Sequence, residues 1–175
     1  MRLALAGPAA SDALPTLLKA LQDTDPAQRL AVSQAVWEVG RDATDVLPVL
    51  SELLSSDRCE LRIGAAFVLG QMGEAAAEAV PVLTRNLRKS NQVFERLLLA
   101  ASLVRITPQH DPAFRLLLEG LSSENADIRY LSTVALGAMP QSRQLTTEEA
   151  LGAVIQDGNA RVRHAAYESL SQMLV

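Results

Sequence analysis

Apolar positions along this chain recur with two periods at once. Within a segment they fall at the three-and-four spacing of one helix face, and the same pattern returns every 33 or 34 residues. Leu14-Pro15-x-Leu17, Leu47-Pro48-x-Leu50 and Val80-Pro81-x-Leu83 stand in register. Further along each unit an arginine opens a second apolar helix, at Arg29, Arg62, Arg96, Arg129 and Arg163, at intervals of 33, 34, 33 and 34 residues. One helix pair of this length cannot bury its apolar face alone, so the pattern predicts stacked units, each covering the next. Five units fit a single all-α domain over residues 1–175, at about 11–43, 44–76, 77–109, 110–142 and 143–175.

Turn chemistry marks the helix ends. Ser11 or Asp12 can cap the first helix, with Pro15 in its opening turn, where backbone N–H groups are unpaired in any case. That helix is expected to reach about Leu21, and Asp25-Pro26 then supplies an N-cap followed by proline at the first position of the second. The second helix should run to Val39 and stop at Gly40, with Gly73 and Pro140 doing the same work in later units. Thr146-Thr147-Glu148-Glu149 has capping-box spacing for the start of the fifth unit. Gly7 occupies the slot of Gly40 and Gly73, which makes Leu3 and Leu5 the end of a second helix. Residues 1–10 therefore read as the tail of a truncated preceding repeat, and more solenoid is expected ahead of Met1.

The combined pattern is Pro-x-Leu, an Asp or Asn in the turn, then Arg-x-x-Ala/Val/Leu-x-x-x-Leu-Gly-x-Met/Val-Gly. It is clearest from Leu61-Arg62 through Leu69-Gly70-Gln71-Met72-Gly73. Over essentially the whole chain it resembles HEAT and HEAT-like, armadillo-type helical repeats. The third unit departs furthest, since Glu95 precedes Arg96 and Thr107-Pro108 replaces the closing glycine. The resemblance implies a right-handed α-solenoid that serves as a protein-interaction scaffold. It also implies that each arginine pairs with the acid or amide of its own turn as one rung of a structural ladder. The candidate pairs are Asp25 with Arg29, Asp57 with Arg62, Asn91 with Arg96, Asn125 with Arg129 and Asp157 with Arg163.

Departures from the family pattern carry the functional expectation. Counting from each arginine, positions three, seven and ten later form one helix face and should be core. The opposite face holds positions one, five and eight later, which the resemblance implies should be Arg or Lys, Glu and Gly. Here they are Leu30, Gln34 and Trp37; Ile63, Phe67 and Gly70; Leu97, Ala101 and Val104; and Tyr130, Val134 and Gly137. If second helices line the concave side, as the resemblance implies, this row is an apolar groove across four repeats, able to receive an extended peptide or an amphipathic helix. The expected partner-binding residues are Leu30, Trp37, Ile63, Phe67, Leu97, Val104, Tyr130 and Val134. Burial of the same side chains between neighbouring second helices is the competing reading.

Composition narrows the rest. The chain is 49% hydrophobic but 3% aromatic, because Leu and Ala carry the core. A net charge of −4 lacks the basic footprint of a nucleic-acid binder. Only the third unit is basic, and Arg85, Arg88 and Lys89 form a secondary patch. Such a patch can compensate the helix dipole or receive an acidic partner or phosphate. No apolar run suffices for membrane insertion, the lone Cys59 suits a reducing compartment, and a cytoplasmic location is expected. Fourteen arginines against two lysines suit a GC-rich bacterial genome. His110 and His164 fall in different units, without metal-ligand spacing, and no catalytic motif or cofactor site is read. The expected partner is a protein or peptide. The alternatives are a phycobilin-lyase-like subunit that handles a linear tetrapyrrole, self-association through the apolar row, and packing against a larger parent chain. An alkylpurine DNA glycosylase, also suggested by the resemblance, would need a basic concave face that this chain lacks.

Overall fold

The computed structural model describes residues 8–22, 25–139 and 144–173. Helices alternate along it: α1 (Pro8–Ala20), α2 (Pro26–Gly40), α3 (Val46–Leu53), α4 (Cys59–Met72), a 3-10 segment (Gly73–Ala79), α5 (Val80–Lys89), α6 (Val93–Ile106), α7 (Asp111–Gly120), α8 (Ala126–Gly137), α9 (Gln144–Val154) and α10 (Ala160–Met173). The described residues contain no strand. Each odd-numbered helix packs on the even-numbered helix that follows it, and the even-numbered helices also pack on one another in sequence. The odd-numbered helices are not packed together in the same way. Such a one-sided arrangement bends an all-α solenoid so that the even-numbered helices lie on its inner side.

The core is a continuous leucine layer. Leu50, Leu83, Leu117 and Leu151 recur in the first helices, and Leu69, Leu103 and Leu136 in the second, all fully buried. Small residues set how closely consecutive second helices approach. A Cβ added at Gly70 of α4 would lie 3.1 Å from Ser102 Cα of α6, and one at Gly137 of α8 would lie 2.4 Å from Ser169 Cβ of α10. The equivalent positions in α2 and α6 are Trp37 and Val104, and there the pairs α2–α4 and α6–α8 pack less extensively. The solenoid thus alternates between tight and wide steps.

Several helix ends differ from expectation. Asp25 does cap α2, accepting from the Ala27 amide at 3.0 Å, and Pro26 is its first residue. Asn125 caps α8 in the same way, accepting from Asp127 N–H at 2.8 Å. Gly73 closes α4 with φ of 59°, a conformation glycine adopts without strain. In α2, however, the left-handed residue is Arg41, φ 53°, one position after Gly40, and its N–H bonds the Trp37 carbonyl. Helix α1 starts at Pro8, so Ser11, Asp12 and Pro15 lie inside it rather than at its start. Its first turns align in sequence with the 3-10 segment Gly73–Ala79 and run straight into the helix proper. Thr146 and Thr147 likewise fall inside α9, with Thr147 buried, instead of capping it. Gly7, Leu3, Leu5 and Pro140 lie outside the described residues.

The arginine ladder joins two kinds of contact: the carboxylate partners lie in the next unit, while backbone carbonyls of the arginine's own turn supply the rest. Arg62 Nη1 donates to the carbonyls of Ser56 and Asp57 in its own turn, while its Nε pairs with Glu95 of the next unit at 2.7 Å. Arg129 repeats the arrangement, with Ser123 and Glu124 carbonyls on one side and both Asp157 oxygens on the other, at 2.7 and 2.9 Å. Arg29 forms a two-pronged bond with Glu52 of α3 at 2.8 and 2.7 Å, and Arg163 holds the carbonyls of Asp157 and Gly158. Arg96 is exposed, and Glu95 beside it is the buried member of that helix turn. The turns of the second to fifth units are closed by a further periodic contact: Ser56, Ser90 and Ser123 hydroxyls and the Asp157 carboxylate accept the amide two residues on.

Candidate partner-binding site

The inner side carries a cavity of about 250 Å³ lined by α4, α6 and α8. It spans both the α4–α6 and the α6–α8 steps. Small residues form much of its lining, namely Gly70, Ala101, Ser102, Ala135 and Ala138, and Phe67, Leu98, Leu131 and Val134 are its larger apolar side chains. Phe67 is 54% exposed and Val134 42%, both unusually open for apolar residues at the centre of a helical array. Gln71 and Arg105 are its larger polar members, and Arg105 is the one charged residue in the lining. Arg105 Nε donates to the Gly70 carbonyl at 3.1 Å. That carbonyl belongs to the last turn of α4 and has no partner within its own helix, so Arg105 both caps α4 and places a cation at the cavity.

Of the eight side chains expected to form a groove across four repeats, Phe67 and Val134 line the cavity. Trp37, Leu97 and Val104 are buried at 7%, 3% and 0% exposure, so a continuous exposed row through them is ruled out. Leu30, Ile63 and Tyr130 are half-buried. Leu30 packs against Gly64 of α4, and Arg161 of α10 lies 4.4 Å over the Tyr130 ring. The correction has a simple cause. Each second helix is covered on its flanks by the second helices before and after it, which takes up the positions one and eight after the arginine. The open strip is centred on positions two, five and nine, roughly 60° further round the helix at 100° per residue. Leu98, Leu131, Gln71, Arg105 and Ala138 occupy it and were missed. The five-residue offset shared by both readings is why Phe67 and Val134 were found.

Other exposed apolar side chains do not extend this surface. Val93 and Phe94 sit at the start of α6, and Leu145 and Tyr167 on α9 and α10, none of them in the cavity lining. The basic patch of the third unit divides. Arg85 and Lys89 line a separate cleft, whereas Arg88 lies near enough to His110 to disfavour its protonation. His110 Nδ1 accepts from Ala113 N–H at 3.2 Å, capping α7, and Nε2 meets Thr84 Oγ1 at 3.0 Å. Burial pushes the imidazole below its usual value. The Cys59 thiol is pushed up, first by burial and then by the Glu95 charge, which keeps it in its unreactive protonated form. Among the described residues there is no group of three or more potential metal ligands, and no helix is long and apolar enough to cross a membrane.

A bent array of paired helices, tied by inter-repeat arginine bridges and open along its second helices, defines a helical-repeat solenoid. The family of HEAT repeats matches residues 14–103, and the chain belongs to that family. The crystal structure of an engineered protein, a Northeast Structural Genomics Consortium target, is similar in fold, with a TM-score of 0.54 at 20% sequence identity. The alignment covers 91% of this chain and 78% of that one. No curated protein matches the chain.

Proposed function

We propose that this protein is a non-catalytic interaction scaffold that holds a short segment of a protein partner on its inner face, with one apolar side chain in the cavity between α4, α6 and α8. HEAT repeats are generally protein-interaction scaffolds. The observation that carries the reading for this chain is the cavity itself, apolar and lined by an exposed Phe67 and Val134. A volume of about 250 Å³ admits one leucine- or phenylalanine-sized side chain with its neighbouring backbone. Arg105 adds a charge preference, so the segment pairs an apolar anchor with a carboxylate. Burying one such anchor contributes about 1.5–3 kcal/mol, which gives moderate affinity unless flanking contacts add to it. A linear tetrapyrrole, with four pyrrole rings, is much larger than this cavity, and that weighs against the lyase-like alternative.

Display of a random peptide library on the immobilised protein tests the reading. Enriched peptides should share an apolar residue near an Asp or Glu and should lose binding to a folded Phe67→Glu, Val134→Glu variant. A library that yields no enrichment, or peptides held equally by that variant, would remove the proposal. Light scattering on the same samples decides the self-association alternative, which requires a mass that rises with concentration.

A further inference from the structure

At the boundary of the second and third units lies a cleft of about 400 Å³, independent of the apolar cavity, whose polar lining includes Ser55, Arg62, Arg85, Asn86, Lys89 and Glu95. Its carboxylate and the Leu54 carbonyl are already in use. Glu95 Oε1 takes a hydrogen bond from Arg62 Nε at 2.7 Å and Oε2 takes one from the Ser90 hydroxyl at 2.6 Å. The Leu54 carbonyl, at the negative end of α3, accepts from Asn86 Nδ2 at 2.7 Å. Its cations are not all in use. The charge of Arg62 is cancelled by Glu95, but the side chains of Arg85 and Lys89 form no ion pair among the described residues.

Arg85 and Lys89 are four residues apart on α5 and therefore share one face of it. The α5 dipole accounts for Lys89 in its last turn, but its effect falls off before Arg85, one turn further back. Asp57, in the adjoining turn, does not line the cleft. In a chain of net charge −4, two uncompensated cations converge on a recess whose carboxylate is already neutralised. We propose that this cleft binds a phosphate monoester dianion, with Arg85 and Lys89 supplying the two charges and the Ser55 hydroxyl a hydrogen bond. The planar guanidinium matches two phosphate oxygens at once, and the ammonium adds a point charge beside it.

The test is an NMR titration of the amide-labelled protein with inorganic phosphate and, separately, with a phosphoserine peptide, at ionic strength fixed by sodium chloride. Saturable shifts are expected at the Ser55 and Ser56 amides and the Asn86 side-chain amide. An Arg85→Gln, Lys89→Gln variant should bind about tenfold more weakly or worse. Arg88→Gln, whose parent residue is outside the cleft, should bind as the unaltered protein does. Both altered side chains are exposed, so the fold should survive, and Arg85→Gln alone gives the same comparison if the double variant does not fold. A peptide that binds much more tightly than inorganic phosphate identifies a phosphorylated protein segment as the source, and equal binding identifies a small phosphorylated molecule. Unsaturable shifts, or an equal loss in Arg88→Gln, would overturn the assignment.

Discussion

The close approach of α8 and α10 at Gly137 gives a sharp test of how helix spacing is set. An alanine Cβ at Gly137 would lie 2.0 Å from Ser169 Oγ, 2.4 Å from its Cβ and 3.3 Å from its Cα. Ordinary carbon contacts begin near 3.5 Å, so the serine side chain must be displaced and the two helices must part. Overpacking of this kind costs about 1–3 kcal/mol, and the better helix propensity of alanine returns up to about 1 kcal/mol in a helix interior, less at the last residue of α8. Gly137→Ala should therefore destabilise the protein by about 1–2 kcal/mol. Ser169→Gly removes both of the nearest atoms and leaves only the 3.3 Å contact, so the two changes together should cost less than the sum of the separate changes, by roughly 1 kcal/mol or more. Gly152, where an added Cβ meets nothing within 4 Å, is the control, and Gly152→Ala should be stabilising by about 0.5–1 kcal/mol. Urea denaturation followed by circular dichroism reads all four variants, with hydrogen exchange of α8 and α10 locating the effect. If Gly137→Ala proves as harmless as Gly152→Ala, glycine does not govern the tight step between α8 and α10.

Three further outcomes follow from the charge network and the buried groups. Glu95 is 2% exposed, and its hydrogen bond with Arg62 holds its carboxyl below the usual carboxylate range despite burial. Glu95→Gln should cost about 2–4 kcal/mol by leaving Arg62 unpaired in a half-buried site. The Glu95 contribution is fully present above the unfolded value of about 4.3 and is lost as pH falls through the lowered folded value, so the variant's melting temperature should fall less steeply in acid. His110 behaves in the same direction for a different reason. Its folded value lies below the unfolded value of about 6.5, through burial and the Arg88 charge, with Asp111 opposing. The neutral ring is the helix cap, so stability rises with pH across that window, and His110→Asn, which keeps an acceptor but cannot titrate, should flatten the dependence in melts between pH 5 and 7. Cys59 should react with iodoacetamide at neutral pH more slowly than free cysteine, as a timed thiol assay will read, because its thiol is pushed up.

The architecture was legible because its signals repeat. The arginine period, the Asp25-Pro26 start and the glycine that closes α4 each state a backbone requirement in the residue itself. Contacts between units were not legible in the same way. Glu95 looked like an irregularity before Arg96, yet it is the partner of Arg62, 33 residues earlier, and a search one period ahead for acids could have found it. The candidate site was half-readable. A helical wheel distinguishes inside from outside for a helix with one neighbour, but α6 packs against α4, α5, α7 and α8, and whether position eight is Trp37, Gly70, Val104 or Gly137 decides how far a second helix is covered. The cleft at Arg85 and Lys89 depended on which acceptors were already occupied, and composition is silent on that.

Methyl-labelled NMR with a display-selected peptide tests the central claim most directly. The account predicts saturable shifts at the methyl groups of Leu98, Leu131 and Val134, abolished by Phe67→Glu, with the methyls of Val93 and Leu145 unmoved. Shifts centred on Val93, or a Phe67→Glu protein that binds the peptide undiminished, would contradict it.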